Sequence, residues 1–238
     1  MIDLSKVRAL VIAPHPDDEV FGCGGIIHRI KREGGKVYVM YVTVGTAKDF
    51  SDKGISTADE RISEIEKVAD YLDFDDFDIA LSGDKYHLKL DAIPQGELVH
   101  AIERGSKLAL HIIEPNLVLT TSNHDYNQDH RAVFKATVTA LRPASLKQKS
   151  YQSMLATYEL PYHAWNTAET LSSSSLYVKL EEADLSAKIE ALKLYQSQLK
   201  QADSPLSVHG VKTMASYRGL QCGAMAAETF WLKRLAIL

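Results

Sequence analysis

The junction at residues 7–19 constrains this chain more than any other feature. Residues 7–13 are apolar and rich in β-branched side chains, and they run into Pro14-His15-Pro16-Asp17-Asp18-Glu19. A short segment without polar alternation is the pattern of a strand buried on both faces. The prolines end it in a rigid loop, since each restricts its own backbone and that of the residue before it. Asp18–Arg32 then reads as a helix, with Ile26, Ile27 and Ile30 on its apolar face and Gly34-Gly35 as its stop.

The same alternation continues. Lys36–Val44 is the next strand, and Thr57 with Glu60 three places on forms a capping box for a helix carrying Ile62, Ile65, Ala69 and Leu72. Residues 77–81 read as a strand, 95–113 as a helix, and 116–121 as a strand running into Ser122-Asn123-His124-Asp125. Strands that alternate with helices imply an α/β fold, with a mostly parallel sheet and helices on both faces. After Pro143 the pattern loosens: residues 154–160 and 176–180 are strand candidates, 183–200 a strong helix, and 228–238 close the chain. No long linker or repeat divides it, so its 238 residues are taken as one domain.

Composition narrows the partners. Against 31 Asp and Glu stand 27 Lys and Arg, a net charge of −4 with no dense basic block, which disfavours nucleic acid or anionic lipid as the main partner. The two cysteines, Cys23 and Cys222, make no disulfide framework or CxxC pair, and a reducing, cytoplasmic setting is expected. The apolar run 9–13 is too short for a signal-peptide core or a membrane span. Oligomeric state, a homo-oligomer included, is left open.

The chemistry concentrates in two places. The carboxylates and imidazole of His15-Pro16-Asp17-Asp18-Glu19 repel unless positive charge lies among them, and a divalent metal supplies it. The plainer reading, an acidic helix start with Asp17 or Asp18 as N-cap, leaves the His-Pro pair unexplained. A second cluster, Asp125-Tyr126-Asn127-Gln128-Asp129-His130, follows another predicted strand on the same edge of the sheet, where open α/β folds bind ligands. It is not an EF-hand loop, because His130 stands where glycine is needed and Ala136 where glutamate is needed. Two imidazoles and a carboxylate are a ligand set of catalytic zinc, which lowers the pKa of a water in its fourth position. His15, Asp18 and His130 are candidates for that set, and Asp17 for a base that takes a proton from the water.

With these residues the chain resembles the PIG-L/LmbE-like zinc de-N-acetylases, a family that includes GlcNAc-phosphatidylinositol and mycothiol-pathway deacetylases. The resemblance rests on Pro14-His15-Pro16-Asp17-Asp18-Glu19 and Asp129-His130, then on Arg61 with Glu64, Ser197-Gln198, Arg218-Gly219, and Ala227-Glu228 with Phe230. It implies a Rossmann-like, three-layer αβα fold over residues 1–238, the part from about residue 150 completing the pocket. It also implies zinc on His15, Asp18 and His130, or another first-row ion. The reaction is then release of acetyl from an N-acetylated sugar or conjugate, with Asp17 as general base. Where the family reads His-x-Asp-His, this chain has Asn127-Gln128-Asp129-His130. Asparagine donates a hydrogen bond to an oxyanion but delivers no proton.

Asn127 is accordingly expected as a substrate or oxyanion contact, and Asp129 as a group that orients a neighbour. His124 and His209, the latter in an apparent loop at Ser207-Val208-His209-Gly210, are candidates to approach the substrate. Arg61 either binds substrate or forms a helix salt bridge to Glu64 or Glu60. Tyr126 and Trp165 are aromatic enough to stack on a sugar. Gly22-Cys23-Gly24-Gly25 is no dinucleotide fingerprint, because Ile27 occupies its last glycine position; these glycines are expected to let the helix pack closely. Two readings compete with this one: a binding protein of the same fold, catalytically impaired by Asn127, and a nucleotide-binding α/β module or oxidoreductase, which the failed glycine fingerprint disfavours.

Overall fold

A computed structural model describes residues 2–48, 54–145, 152–163 and 176–236. Seven strands form one sheet in the order β5-β2-β1-β6-β7-β9-β8. They are β1 (Arg8–Ala13), β2 (Lys36–Val44), β5 (Asp76–Ser82), β6 (Leu117–Thr120), β7 (Met154–Tyr158), β8 (Leu176–Lys179) and β9 (Ala227–Leu235). The first five in that order pair in parallel, and β9 runs antiparallel to both β7 and β8. A short antiparallel ribbon, β3 (Ala47–Lys48) with β4 (Ile55–Ser56), stands apart.

Strand β1 lies at the centre, and its alternation feeds two cores. Ala9, Val11 and Ala13 join one apolar cluster, whereas Leu10 and Ile12 join the cluster on the other face. The first cluster is closed by α1 (Asp18–Arg32), α2 (Ala58–Tyr71) and α6 (Glu182–Leu194). The second is closed by α3 (Gln95–His100), α4 (Leu110–Ile113) and α5 (Gln128–Ala140). Helices therefore cover both faces, the arrangement the alternating pattern implies. After β1 the chain builds outward to β2 and β5, then returns to place β6 on the opposite side of β1. A crevice at such a reversal is where open α/β sheets bind ligands.

The capping box of α2 forms as read, the Thr57 hydroxyl accepting from Glu60 N–H and the Glu60 carboxylate accepting from Thr57 N–H. Two helices are shorter than their sequence pattern. Residues 95–113 split into α3, a π-helical turn over Ala101–Gly105, and α4. Ser106 leaves the helix with extended backbone and donates its hydroxyl to Asp78 on β5, a tertiary bond that overrides helical periodicity. Helix α6 ends at Leu194, short of residue 200, because Tyr195 and Ser197 are drawn to Glu19 and Glu64.

Two helices escape the sequence pattern. Helix α5 buries Val133, Ala136, Thr137 and Ala140, a stripe too weak in apolar content to stand out. The region around Ser207 is no loop: Ser207 caps α7 (Val208–Gln221), whose buried face of Val211, Ala215 and Gly219 is small and interrupted. The four-serine run Ser172 to Ser175, which reads as a short loop in the sequence, and Trp165 lie outside the described residues. No described helix is long and apolar enough to cross a membrane.

Helix α1 packs closely because its glycines allow it. A Cβ on Gly22 would collide with the Tyr158 ring, and one on Gly25 would lie 2.6 Å from Leu180 Cδ2. The contact is locked by a buried ion pair. Lys188 Nζ on α6 donates to Glu228 Oε1 and to Phe21 O at 2.7 Å each, while Glu228 on β9 accepts from Gly25 and Ile26 N–H at 2.8 Å. Removing one member leaves an uncompensated buried charge, which typically costs about 3–5 kcal/mol. Lys188→Met should therefore lower unfolding stability by about that amount, and adding Glu228→Gln should recover part of it. Urea denaturation of both variants checks this.

Candidate active site

The register of the central strands builds the site. β1 and β6 pair from Ala9 with Leu117 to Ile12 with Thr120, so the loops after them leave the same sheet edge side by side. His15 lies in the loop after β1, Asp18 opens α1, and His130 stands in the first turn of α5 beyond β6. All three are buried. His15 Nδ1 lies 3.6 Å from Asp18 Oδ2, His130 Nε2 lies 3.2 Å from the same oxygen, and the two nitrogens are 3.3 Å apart. Donors about 2.0–2.1 Å from a tetrahedral ion would be about 3.3–3.4 Å apart. The residues fit a divalent metal by spacing and by donor type.

Their outer contacts support that fit. His15 Nε2 donates to Asp129 Oδ2 at 2.9 Å, and Asp129 Oδ1 is held by Leu90 N–H at 2.9 Å. His130 Nδ1 donates to Asp125 Oδ2 at 2.7 Å. With their outer nitrogens committed as donors, the inner nitrogens and Asp18 Oδ2 face one another as acceptors, and positive charge between them relieves the repulsion. A proton on His130 is one such charge. Burial opposes it, yet Asp18 and Asp125 push the imidazole pKa up to about 10. Burial likewise opposes charge on Asp18, while His130 and His15 hold its carboxyl well below the usual range. One proton serves one contact; a divalent ion bonds all three atoms.

Asp17 is separate from this triangle. It occupies the N-cap position of α1 with φ 101° and makes no side-chain cap bond, so capping does not explain its carboxylate. A non-glycine residue at such an angle carries strain of about 1–3 kcal/mol, which surrounding contacts must hold. Glu19 holds it: Oε2 accepts from Asp17 N–H at 3.1 Å, while Oε1 accepts from the hydroxyls of Tyr41 at 3.0 Å and Tyr195 at 2.6 Å. Burial and the Asp18 carboxylate raise the Asp17 pKa well above 3.8, against the pull of Arg61. Burial also raises Glu19, to about 7, with the two tyrosines opposing the shift.

Arg61 does not form the helix salt bridge. It is buried, and it pairs with neither Glu60 nor Glu64; the latter accepts from Ser197 N–H at 2.8 Å and Ser197 Oγ at 2.6 Å. Its guanidinium instead donates to Gly45 O at 3.4 Å, to Pro16 O at 3.5 Å and to His87 Nε2 at 2.9 Å. It thus ties together the loops after β1, β2 and β5. Burial and the neighbouring Arg61 charge push the pKa of His87 down to about 3, and its ring packs edge-on to His15 with centroids 5.3 Å apart.

Asn127 is the N-cap of α5, its Oδ1 accepting from Asp129 N–H at 2.9 Å. Its amide Nδ2 takes no part in that bond. His124 is half-buried, its ring centroid 6.4 Å from that of Trp231. His209 is exposed in the first turn of α7, and no bond among the described residues joins it to His15, Asp18 or His130. Tyr126 is exposed and packs edge-on to Tyr162. The sequence reading missed His87 and His163. Neither belongs to a motif, although Pro161 marks a turn that sets His163 beside Asp125.

Solved structures share this architecture. A conserved protein of Thermus thermophilus is 25% identical, with 98% of this chain and 97% of that one covered and a TM-score of 0.70. An N,N'-diacetylchitobiose deacetylase of Pyrococcus horikoshii is 17% identical, with 98% and 86% covered and a TM-score of 0.71. A 4-carboxy-2-hydroxymuconate hydratase of Pseudomonas putida is also 17% identical, with 97% of each chain covered and a TM-score of 0.71. No curated protein matches the chain. A family model described as GlcNAc-PI de-N-acetylase matches residues 10–141, a span that contains His15, Asp17, Asp18 and His130. The chain belongs to the PIG-L de-N-acetylase family.

Proposed function

We propose that this chain is a metal-dependent N-deacetylase that releases acetate from an N-acetylated sugar or sugar conjugate, with zinc held by His15, Asp18 and His130. The observation that carries the reading is a triangle of three buried donors beside a carboxylate, Asp17, that neither ligates in that triangle nor caps its helix. Membership of a de-N-acetylase family and likeness to a chitobiose deacetylase support it. A hydratase has the same architecture, so fold alone does not choose the reaction and the residues of the site must.

A divalent ion bound there polarises the amide carbonyl and acidifies a water. Asp17 takes one proton from the attacking water, whose oxygen joins the acetyl carbon. The same carboxyl returns that proton to the nitrogen as the carbon–nitrogen bond breaks, leaving acetic acid and a free amine, which ionise to acetate and an ammonium by passage of the acid's remaining proton to the amine. A carboxylate whose pKa is raised by burial and by Asp18 is a stronger base than a free one, which favours its taking the proton from water. The Nδ2 group of Asn127 donates to the carbonyl oxygen as charge develops on it. Asp129 keeps His15 oriented. Arg61 serves substrate binding from behind, by holding the loops that shape the pocket. We assign His124 and His209 to substrate contact without a proton-transfer step, and the part of the chain from about residue 150 to completing the pocket. The unpaired cysteines accord with a reducing, cytoplasmic setting.

Metal analysis is the first check: the wild-type chain should purify with stoichiometric zinc, and His15→Ala and His130→Ala should lose it. Undiminished zinc in both variants would remove the ligand assignment. Acetate release from a panel of N-acetylhexosamine compounds is the second. Asp17→Asn should keep the metal and lower turnover by about 100-fold or more, while Asn127→Ala lowers it moderately. His124→Ala and His209→Ala should leave a substantial rate; near-complete loss in either, with metal and fold intact, would identify a different acid. Zinc retained by a wild-type chain that releases no acetate from any compound would favour the impaired binding protein.

A further inference from the structure

A chain of hydrogen bonds reaches the metal-ligand cluster from a segment outside the matched family region. Strand β7 is followed by Glu159-Leu160-Pro161-Tyr162-His163, where His163 N–H donates to Leu160 O at 3.0 Å across a turn with proline at its second position. The turn closes a second time through the side chain, since Leu160 N–H donates to His163 Nδ1 at 3.2 Å. A backbone N–H only donates, so His163 Nδ1 carries no proton and its single ring proton is on Nε2. That Nε2 donates to Asp125 Oδ2 at 2.9 Å.

Asp125 passes the constraint on. Its Oδ2 also accepts from His130 Nδ1, and its Oδ1 accepts from Asn127 N–H at 2.8 Å, so three donors fix its plane. Asp125, His130 and His163 are all buried, and the His163 ring rests against Trp231 of β9 with centroids 5.7 Å apart. Each proton in the series is therefore dictated by the one before it: Leu160 N–H sets His163, His163 sets Asp125, and Asp125 leaves His130 Nε2 to face His15 Nδ1 and Asp18. We propose that His163 is a positioning residue of the metal centre, fixing through Asp125 the tautomer and ring orientation of His130 and so raising the affinity for a divalent ion. This rests on the metal-site reading above and assigns to residues 160–163 a role outside the span 10–141 that the family model matches. Partners one bond removed from a ligand typically change metal affinity by about 10–100-fold, and His163 lies one bond further out.

The test uses the full chain loaded with zinc, its affinity read by competition against a chromophoric chelator. His163→Phe keeps a ring beside Trp231 and removes the donor; it should weaken zinc binding by about tenfold. His163→Gln, whose amide still offers Asp125 an N–H, should recover most of that loss, which a purely structural role would not produce. Binding by His163→Phe within about twofold of wild type would overturn the proposal. Should that variant fail to fold, imidazole nitrogen–proton correlation spectra of the wild-type chain decide the matter. Nε2–H on His163 with Nδ1–H on His130 is expected, and an Nδ1–H tautomer at His163 would overturn it. A wild-type chain that binds no zinc would defeat the metal-site reading itself, while those spectra still report on the link from His163 to His130.

Discussion

Parallel pairing places the ends of neighbouring strands on one edge, and everything proposed for this chain depends on that pairing between β1 and β6. His15 and His130 are 115 positions apart in sequence, yet their facing nitrogens approach to 3.3 Å because each follows a strand of the same central pair. Neither loop holds the geometry alone. Had β6 been added beyond β5, the second cluster would have emerged at the far edge of the sheet. The return of the chain across β1 makes the crevice in which the two loops meet.

Once that crevice exists, electrostatics selects what fills it. Asp18, Asp125 and Asp129 are buried around two imidazoles, and a buried carboxylate is tolerated only where donors or cations meet it. Each outer imidazole nitrogen is spent on one of those carboxylates, so the inner nitrogens point at one another with Asp18. The arrangement is costly without a positive charge and favourable with one. Asp17 escapes the pattern because its backbone turns through φ 101°, directing it away from the role of its neighbour Asp18.

The part of the chain beyond α5 acts mainly through single side chains reaching inward. Tyr195 at the end of α6 reaches Glu19, which anchors the strained Asp17; Ser197 takes Glu64; Glu228 of β9 clasps α1 together with Lys188. These account for several residues by which the chain resembles its family, namely Glu64, Ser197 and Glu228, and they give them roles in support rather than in chemistry. Helix α6 stops where those contacts begin, which is why its periodic pattern outlasts it.

By itself the sequence determined the alternation of buried strands and helices, and with it the sheet edge on which both polar clusters lie. It also determined the candidate ligands His15, Asp18 and His130, because proline, glycine, capping boxes and uninterrupted apolar runs act over a few residues and are legible wherever they occur. Helices α5 and α7 were not legible, since their buried faces are built from alanine, glycine and threonine and carry little apolar signal. Nor were the partners of Arg61 and Glu19, or the place of His87 and His163. A hydrogen bond between residues far apart leaves no periodicity in the chain; it exists only when packing has set donor and acceptor about 3 Å apart. Tertiary structure alone therefore decided which nitrogens of His15 and His130 face Asp18, that Asp17 is strained and makes no cap bond, and that Arg61 holds loops rather than pairing along its helix.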